Sequence, residues 1–388
     1  MAQGIQKTTL VHYMPWYASK PVSGQWGWHW TMNHFDPDKL DANGQPSAAS
    51  HYRPLIGLYD SNDPDVLECH VQLMKLAGID GVIVDWYGME DFRDYGEIHR
   101  NTRHLVKFIR RAGLQFAICY EDQSVKHLLE GNALKNADDV VHGRQVLAWL
   151  EENFFADRAY VKIDGKPVLL IFGPQHFKRE QWVQITADLK TRPLIYALPH
   201  LSKAAGADGA FGWPPVHGGK EITPDVWRPY LKDLYSRGET GESIVAPVFA
   251  KFHDIYKQAG LHDSYGFIDD RQGQTFQETL DLAWNSASRL IQVATWNDYG
   301  EGTMVEPTTK FGYRYLEAIQ QRIKTSPERS LGFGANDLKL PVMLYSLRKQ
   351  NGGNEQAIAK LNEASELLLD GQCSAASAIL NQLASENR

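Results

Sequence analysis

The chain has 388 residues, of which 43% are hydrophobic and 22% charged, a balance that supports a full globular core and argues against extensive disorder. Forty Lys and Arg residues against forty-seven Asp and Glu residues give a formal charge of -7, and no long cationic run is present. This charge pattern disfavours nucleic-acid binding. The longest apolar stretches, such as Pro167 to Phe172, are far shorter than the roughly 20 residues of a spanning helix, so no membrane span is expected.

The cysteines and the start of the chain restrict the cellular context only loosely. Cys69, Cys119 and Cys373 show no CxxC spacing, which predicts neither a disulfide framework nor a cysteine zinc site. Met1 to Gly4 is not a basic segment leading into an apolar one, so no secretory signal is predicted. We therefore expect a cytoplasmic protein if the chain is native as given, and a secreted or periplasmic one if a signal has been removed.

Short β-rich runs alternate with longer segments of helical spacing along the first 300 or so residues. Two of these segments, Pro64 to Ala77 and Tyr95 to Ala112, end at Gly78 and Gly113, as helices commonly do. The eight predicted strands are Thr9 to Met14, Gly81 to Trp86, Gln115 to Tyr120, Pro167 to Phe172, Pro193 to Leu198, Gly209 to Trp213, Ile244 to Phe249 and Leu290 to Trp296.

Eight such alternations are typical of an α/β protein with a (β/α)8 TIM barrel. The competing doubly wound sheet is weakened because no GxGxxG or GxxxxGK[ST] follows the first strand. We predict a catalytic barrel over residues 1–325 and a helical C-terminal extension over 326–388. In the extension, Gln356 to Leu369 and Ser374 to Leu383 have amphipathic spacing and are separated by Asp370-Gly371. The oligomeric state is left open.

The segment after the eighth predicted strand carries two carboxylates in a glycine-bearing turn, Asp298 and Glu301. At a barrel mouth both side chains can enter one cavity, where partial loss of solvent separates their pKa values. One carboxyl can then stay protonated as a general acid while the other acts as a base. This pattern predicts acid-base hydrolysis. If the pair is not catalytic, Glu121 and Asp85 are the next candidate acids.

The eleven Trp and seventeen Tyr residues indicate what these carboxylates act on, because many of them lie in predicted loops and strand ends. Aromatic rings stack on the apolar faces of sugars, and carboxylates bind their hydroxyls. We expect Trp16, Trp28, Trp86 and Trp213 to line one groove for an oligosaccharide or polysaccharide. A barrel that binds glycan without catalysis stays open as an alternative.

A metal-dependent TIM-barrel hydrolase is the second alternative for a chain with fourteen His residues. Such enzymes often carry HxH after the first strand or HExxH on a helix, and neither pattern occurs. His12 lies inside the first predicted strand, where a hydrogen-bonded core role is expected. We predict no metal site and no cofactor.

Several segments taken together resemble the endo-α-mannosidase family of glycoside hydrolases and, more distantly, the fungal α-1,3-glucanases (mutanases). The resemblance extends from about Thr8 to Pro307. Its pieces are Tyr13-Met14-Pro15-Trp16-Tyr17, Trp28-His29-Trp30, Gly57 to Ser61, Asp63-Pro64, Gly81 to Tyr87, Cys119-Tyr120-Glu121, Glu301-Gly302-Thr303 and Glu306-Pro307.

The resemblance implies a barrel hydrolase of α-linked glycans of mannan or glucan type, endo-acting, with Glu301 as general acid and Asp298 as second carboxylate. In the endo-α-mannosidases that second carboxylate is Glu and deprotonates the substrate's own 2-hydroxyl, whereas the mutanase-like turn implies an Asp that activates water. Both routes stay open here. The resemblance places His176 and Trp213 near sugar-contacting positions. The full set of predicted substrate-binding residues is Tyr13, Trp16, Tyr17, Trp28, His29, Trp30, Tyr59, Asp85, Trp86, Tyr87, Glu121, His176, Trp213, Trp296 and Asn297.

Overall fold

The fold is that of a computed structural model, which describes residues 7–134, 138–327 and 329–386. The start of the chain, Met1 to Gly4, on which the secretory expectation rests, lies outside the described residues. Within the described ranges no helix combines the length and the apolar character needed to cross a bilayer.

Eight parallel strands form a closed barrel in which each strand pairs with the next along the chain, and the eighth pairs with the first. This confirms the predicted (β/α)8 barrel. Two strands end two or three residues earlier than predicted, because the residues after Phe211 and Val293 leave the ladder for loops at the mouth. The strands are β1 Thr8–Tyr13, β2 Gly81–Trp86, β3 Gln115–Tyr120, β4 Lys166–Ile171, β5 Leu194–Ala197, β6 Gly209–Phe211, β7 Ser243–Val248 and β8 Leu290–Val293.

Helices surround the barrel and extend beyond it. The helices are α1 Lys20–Ser23, α2 Trp28–Thr31, α3 Pro64–Ala77, α4 Tyr95–Ala112, α5 Gln123–Glu130, α6 Asp139–Leu150, α7 Arg179–Thr186, α8 Ser202–Ala205, α9 Pro224–Glu239, α10 Gln274–Asn285, α11 Arg314–Lys324, α12 Leu340–Gln350, α13 Glu355–Leu369 and α14 Cys373–Glu386. A π-helical turn, Glu151–Phe155, extends α6. Four short strands, Lys162–Ile163, Lys220–Glu221, Phe252–His253 and Gly266–Ile268, lie outside the barrel ladder, and the last three form a small sheet.

Alternation along the strands decides which side chains can reach the barrel interior. In β2, Val82 and Trp86 pack in the layer between barrel and helices, whereas Ile83 packs inside the barrel. Successive side chains of a strand point to opposite faces, so Asp85 shares the inner face with Ile83. The same parity places Cys119 inside the barrel. Carboxylates on this inner face near the strand ends therefore point toward the mouth of the barrel.

The C-terminal helices attach to the barrel through α3. A buried carboxylate, Glu68, accepts hydrogen bonds from Arg348 of α12 at 2.7 Å (Nε to Oε2) and 3.2 Å (Nη2 to Oε1). Ser365 of α13 also donates to Glu68, and Gln72 donates to Ser365 Oγ at 3.0 Å. Two of the three helices, α13 and α14, match the predicted amphipathic stretches, and α12 was not predicted. The attachment therefore depends on a polar contact as well as on the packing of the apolar faces of these amphipathic helices.

We expect Arg348→Met to lower the free energy of unfolding by about 2–3 kcal/mol, because Glu68 would stay buried without its main cation. Arg111, 3.9 Å from Glu68 Oε1, remains as a weaker partner. Urea unfolding of the parent and of Arg348→Met measures the difference in the free energy of unfolding. Lys360→Met is the matched control, since it breaks the exposed 3.6 Å pair with Glu386 and should cost about 0–1 kcal/mol. Equal losses in the two variants would contradict the assigned role of Glu68.

Candidate active site

Four carboxyl groups converge at the mouth of the barrel, from three different strand ends. Asp85 ends β2, Glu121 follows β3, and Asp298 and Glu301 lie on the turn after β8. Asp85, Glu121 and Asp298 are buried, and Glu301 is half-buried. The charge of Asp85 acts on the pKa of each of the other three, which places all four in one electrostatic cluster.

The two carboxyls of the turn differ in their local contacts. Asp298 Oδ1 accepts a hydrogen bond from the backbone N–H of Glu301 at 2.9 Å. Glu301 Oε2 is buried and finds no hydrogen-bond partner among the residues that the structure describes. Hydrogen bonds to a carboxylate stabilise its charged form, and Asp298 receives them from the backbone N–H groups of Gly300 and Glu301, whereas Glu301 receives one from the Trp213 side chain and none on Oε2. The contacts therefore favour a proton on Glu301.

The pKa values follow these contacts. Burial raises the pKa of Asp298 to about 7, and the N–H of Glu301 opposes that rise. Burial and then the charge of Asp298 raise the pKa of Glu301 well above its ordinary value, while Trp213 lowers it. We predicted a protonated Glu301 and an ionised Asp298. The raised pKa of Glu301 has the expected direction, but the pKa of Asp298 is also shifted upward, because Asp298 is itself buried.

The turn from 295 to 306 is fixed by buried hydrogen bonds to other elements. Asn297 accepts from Met14 N at 2.8 Å and donates to Met14 O at 3.0 Å, which ties the turn to the end of β1. The hydroxyl of Tyr17 donates to Asn297 O at 2.8 Å and accepts from Tyr299 N at 3.0 Å. Glu306 accepts from Tyr59 at 2.9 Å and lies 3.1 Å from His70 Nε2. These contacts hold the carboxylates in place.

A buried lysine supports the turn from the other side. Lys251, three residues after β7, donates to Met304 O at 2.7 Å and packs against the rings of Phe311 and Tyr315. Burial lowers the pKa of Lys251 to about 7. Gly302 has φ +68°, and a Cβ there would lie 2.5 Å from His253 O, so only glycine fits this step of the turn. Sequence reasoning missed Lys251, although its position just after a strand was a usable signal.

Some of the predicted binding residues do lie at the mouth. Trp28 is exposed, and Trp16 is half-buried and stacks on His29 with ring centroids 4.1 Å apart. Trp213 is half-buried beside Glu301. Burial, then Asp85 and then Glu121 raise the pKa of Tyr87, which places this residue next to the carboxylates.

Other predicted binding residues are corrected by the structure. Trp86 is fully buried and stacks on Trp149 between barrel and helices, because strand parity turns it away from the interior. The groove prediction is therefore wrong for Trp86. The remaining members have 0–2% of their side chains exposed and act as scaffold, leaving no surface for a sugar: Tyr13, Tyr17, Trp30, Tyr59, Trp296 and Asn297.

His176 is also set apart from the carboxylate cluster. Its Nε2 lies 2.9 Å from Asp139 at the start of α6, and its backbone N–H donates to Asp122. The described contacts of His176 are therefore with these two residues and not with Asp298 or Glu301. The family resemblance, together with its position after β4, is the basis on which His176 was predicted to lie near the sugar.

One buried cluster has the composition of a metal site. The ligand atoms of His12, Asp85 and Cys119 lie within 4.8 Å of one another inside the barrel. His12 Nε2 is 3.7 Å from Asp85 Oδ1 and has no hydrogen-bond partner among the described residues. Burial raises the pKa of the Cys119 thiol well above its ordinary value, so without a metal ion this cysteine is a neutral thiol.

Comparisons with known proteins agree with this architecture. Residues 4–192 match the family described as Glycosyl hydrolase family 99, and residues 268–319 match the family described as Glycosyltransferase WbsX. A solved GH99 endo-alpha-mannosidase from Bacteroides thetaiotaomicron superposes with a TM-score of 0.61 at 17% identity, covering 83% of this chain and 98% of that one.

Two curated relatives cover most of the chain. The protein WxcX of Xanthomonas campestris is 22% identical over 366 residues, 84% of this chain, but the chain spans only 51% of WxcX. The mouse glycoprotein endo-alpha-1,2-mannosidase-like protein is 37% identical over 353 residues, which cover 79% of this chain and 71% of the relative. With this match and that of residues 4–192, the chain belongs to glycosyl hydrolase family 99.

Proposed function

We propose that the protein is a glycoside hydrolase that cleaves within an α-linked glycan of mannan or glucan type. The observation that carries this proposal is the pair of buried carboxyls on one anchored turn, Asp298 and Glu301, both with raised pKa values. Family membership and the name of the mouse relative support an α-mannoside as the first substrate to test. We propose that residues 1–325 form the catalytic unit and that residues 326–388 pack against α3 and stabilise it.

In this proposal Glu301 holds a proton and donates it to the glycosidic oxygen as the bond to the anomeric carbon breaks. Asp298, once ionised, removes a proton from the attacking oxygen, which belongs either to water or to the sugar's own 2-hydroxyl. Attack by water inverts the anomeric centre, and attack by the 2-hydroxyl followed by water retains it. The first anomer formed, followed by NMR during digestion of an α-mannan and an α-1,3-glucan, distinguishes the two routes.

Trp16, Trp28 and Trp213 are proposed to contact sugar rings, because each keeps exposed or half-exposed ring surface at the mouth. Glu121 is proposed to bind sugar hydroxyls, and the more deeply buried Asp85 to tune the acid-base pair through its charge. Burial and then Asp85 raise the pKa of Glu121 well above its ordinary value, so a protonated Glu121 can also donate a hydrogen bond.

Glycosyl transfer is a second candidate, favoured by one observation: the segment that matches the family Glycosyltransferase WbsX, residues 268–319, contains both Asp298 and Glu301. The same carboxyls could assist attack by an acceptor hydroxyl in place of water. Incubating the protein with an activated sugar donor and a mannoside acceptor tests this reaction. A glycan product with no free sugar would favour transfer, and release of a reducing end in water favours hydrolysis.

We expect Glu301→Gln and Asp298→Asn each to lower kcat by a factor of about 10² to 10⁴, since each removes one proton-transfer group. Initial rates on the digested α-glycan measure the loss, and circular dichroism checks folding. Glu317→Gln, on the exposed first turn of α11, is the matched control and should keep parental activity. Near-parental turnover by Glu301→Gln would reject its role as the acid.

The pH profile of kcat/KM should be bell-shaped. Activity rises as Asp298 ionises around its pKa of about 7 and falls as Glu301 loses its proton at a higher pH. In Asp298→Asn the fall of the residual activity on the basic side should move to lower pH. The reason is that the Asp298 charge, which raises the pKa of Glu301, is gone. A basic limb at the same pH in both proteins would contradict this coupling.

The stability of Asp298→Asn tests the same pKa shift without turnover. The pKa of Asp298 is raised on folding, so ionising it costs folding free energy as the pH rises through about 7. We therefore expect the melting temperature of the variant to rise relative to the parent between about pH 5 and pH 8. A constant difference across this range would mean that Asp298 does not titrate there.

Hydrolysis by this pair needs no metal, so activity should survive extensive dialysis against a strong chelator. The variant Cys119→Ala removes one of the three possible ligands inside the barrel. It should also keep its activity, which makes it an independent check. Loss of activity on chelation, restored by one divalent cation, would favour the metal-dependent alternative. Glycan binding without turnover by the parent protein on every substrate tested would favour the non-catalytic barrel.

A further inference from the structure

One exposed aromatic side chain lies close to the carboxylate turn and has no part in the fold core. Among the described residues, the large hydrophobic side chains that are exposed include two aromatic ones, Trp28 at 39% and Tyr265 at 47%. Trp28 begins the short helix α2, and Tyr265 lies in the loop just before the short strand Gly266–Ile268. Trp28 was predicted from the sequence as a sugar contact, whereas Tyr265 was not. A single exposed ring is common on protein surfaces, so the case for Tyr265 depends on the rings that surround it and on its distance from the turn.

Tyr265 belongs to a cluster of three rings that we call the outer platform: Tyr256, His262 and Tyr265. The ring centroids of His262 and Tyr265 are 4.7 Å apart at an interplanar angle of 31°. Tyr256 lies 4.7 Å from His262 and 5.5 Å from Tyr265. The three rings therefore form one contiguous cluster with tilted and edge-on contacts, and Tyr265 is its most exposed hydrophobic ring.

The outer platform reaches from the surface to the carboxylates. A Cβ placed on Gly300 would lie 3.9 Å from the hydroxyl of Tyr256 and 3.5 Å from Asp298 Oδ1. The charge of Glu301 also contributes to the raised pKa values of Tyr256 and Tyr265, after burial, which agrees with their closeness to the turn. Tyr256 is thus the inner end of the platform and Tyr265 the outer end.

The backbone beneath the platform is tied to the turn itself. Residues 253 and 255 donate backbone hydrogen bonds to Glu301 O at 2.8 Å and Gly300 O at 3.0 Å. Asp254 Oδ2 accepts from Tyr265 N at 2.8 Å and from Ser264 Oγ at 3.0 Å, which fixes the far side of the loop. The rings are preorganised, so a ligand that stacks on them loses little by ordering the loop.

The charges around the platform indicate a neutral ligand. Asp254 is buried, and its Oδ1 finds no hydrogen-bond partner among the described residues. Lys257, on the same loop, is paired with Asp263 at 3.1 Å. A surface of aromatic rings and carboxylate acceptors suits a sugar, which offers an apolar face and hydroxyl donors, and repels an anionic group.

We infer that the outer platform is a sugar-binding subsite next to the carboxylate pair, which holds a neutral pyranose unit of the glycan beyond the sugar undergoing cleavage. The inference rests on the proposed function. It makes the chain an enzyme for extended glycans, because a short substrate cannot reach from the carboxylates to Tyr265.

The test compares substrates of different length. Tyr265→Ala should lower kcat/KM for a neutral α-linked tetrasaccharide about tenfold more than for the α-glycosyl fluoride of a single sugar, chiefly through KM, since stacking on one ring is lost. Tyr265→Phe keeps the ring and should restore most of the loss. Val183→Ala, at an exposed position on α7, is the control for a surface substitution.

Equal effects of Tyr265→Ala on both substrates, or no effect on either, would overturn the subsite. Binding separates this failure from that of the proposed function. If the parent protein cleaves nothing, titration calorimetry with the tetrasaccharide still decides: weaker binding by Tyr265→Ala supports the subsite, and unchanged binding rejects it. Retained folding of the variant, checked by its melting temperature, is expected because Tyr265 is half exposed.

Discussion

Burial of several acidic groups at one end of the barrel is the constraint on which the rest of the site depends. Asp85, Glu121, Asp298 and Glu301 lie close enough to influence one another and are largely withdrawn from water. Like charges in a poorly solvated cavity cannot all be ionised at neutral pH. The cluster must therefore retain protons, and the backbone N–H that Asp298 accepts decides that this carboxyl ionises before Glu301. That order is what acid-base hydrolysis requires.

Keeping such groups buried costs folding free energy, and the surrounding network offsets it. Asn297 binds both backbone groups of Met14, Glu306 is held between Tyr59 and His70, and Lys251 holds Met304 O. These contacts lie around the turn and leave the carboxyl of Glu301 without a donor on Oε2. The scaffold thus fixes the backbone of the turn while its acid remains available for chemistry.

The loops around the carboxylates carry the aromatic side chains for which glycan binding is proposed. Trp28 and the half-buried Trp16 lie on the segment after β1, and the platform of Tyr256, His262 and Tyr265 lies on the segment after β7. These segments meet near the turn, since a Cβ placed on Gly300 would lie 2.9 Å from Met32 Cε. The proposed hydrolysis and the proposed sugar subsite are therefore assigned to neighbouring parts of one surface.

The sequence by itself determined the barrel, helices such as Pro64–Ala77, and the carboxylate turn, because each depends on local periodicity or on adjacent residues. Strand parity also lay in the sequence: if Asp85 faces inward, Trp86 must face outward. Only the tertiary structure decided which aromatic residues stay accessible, since Tyr17, Trp30 and Tyr59 are buried by residues far away in the chain. It likewise brought Lys251 and Tyr256 to the turn, through contacts between strand ends that no local pattern encodes.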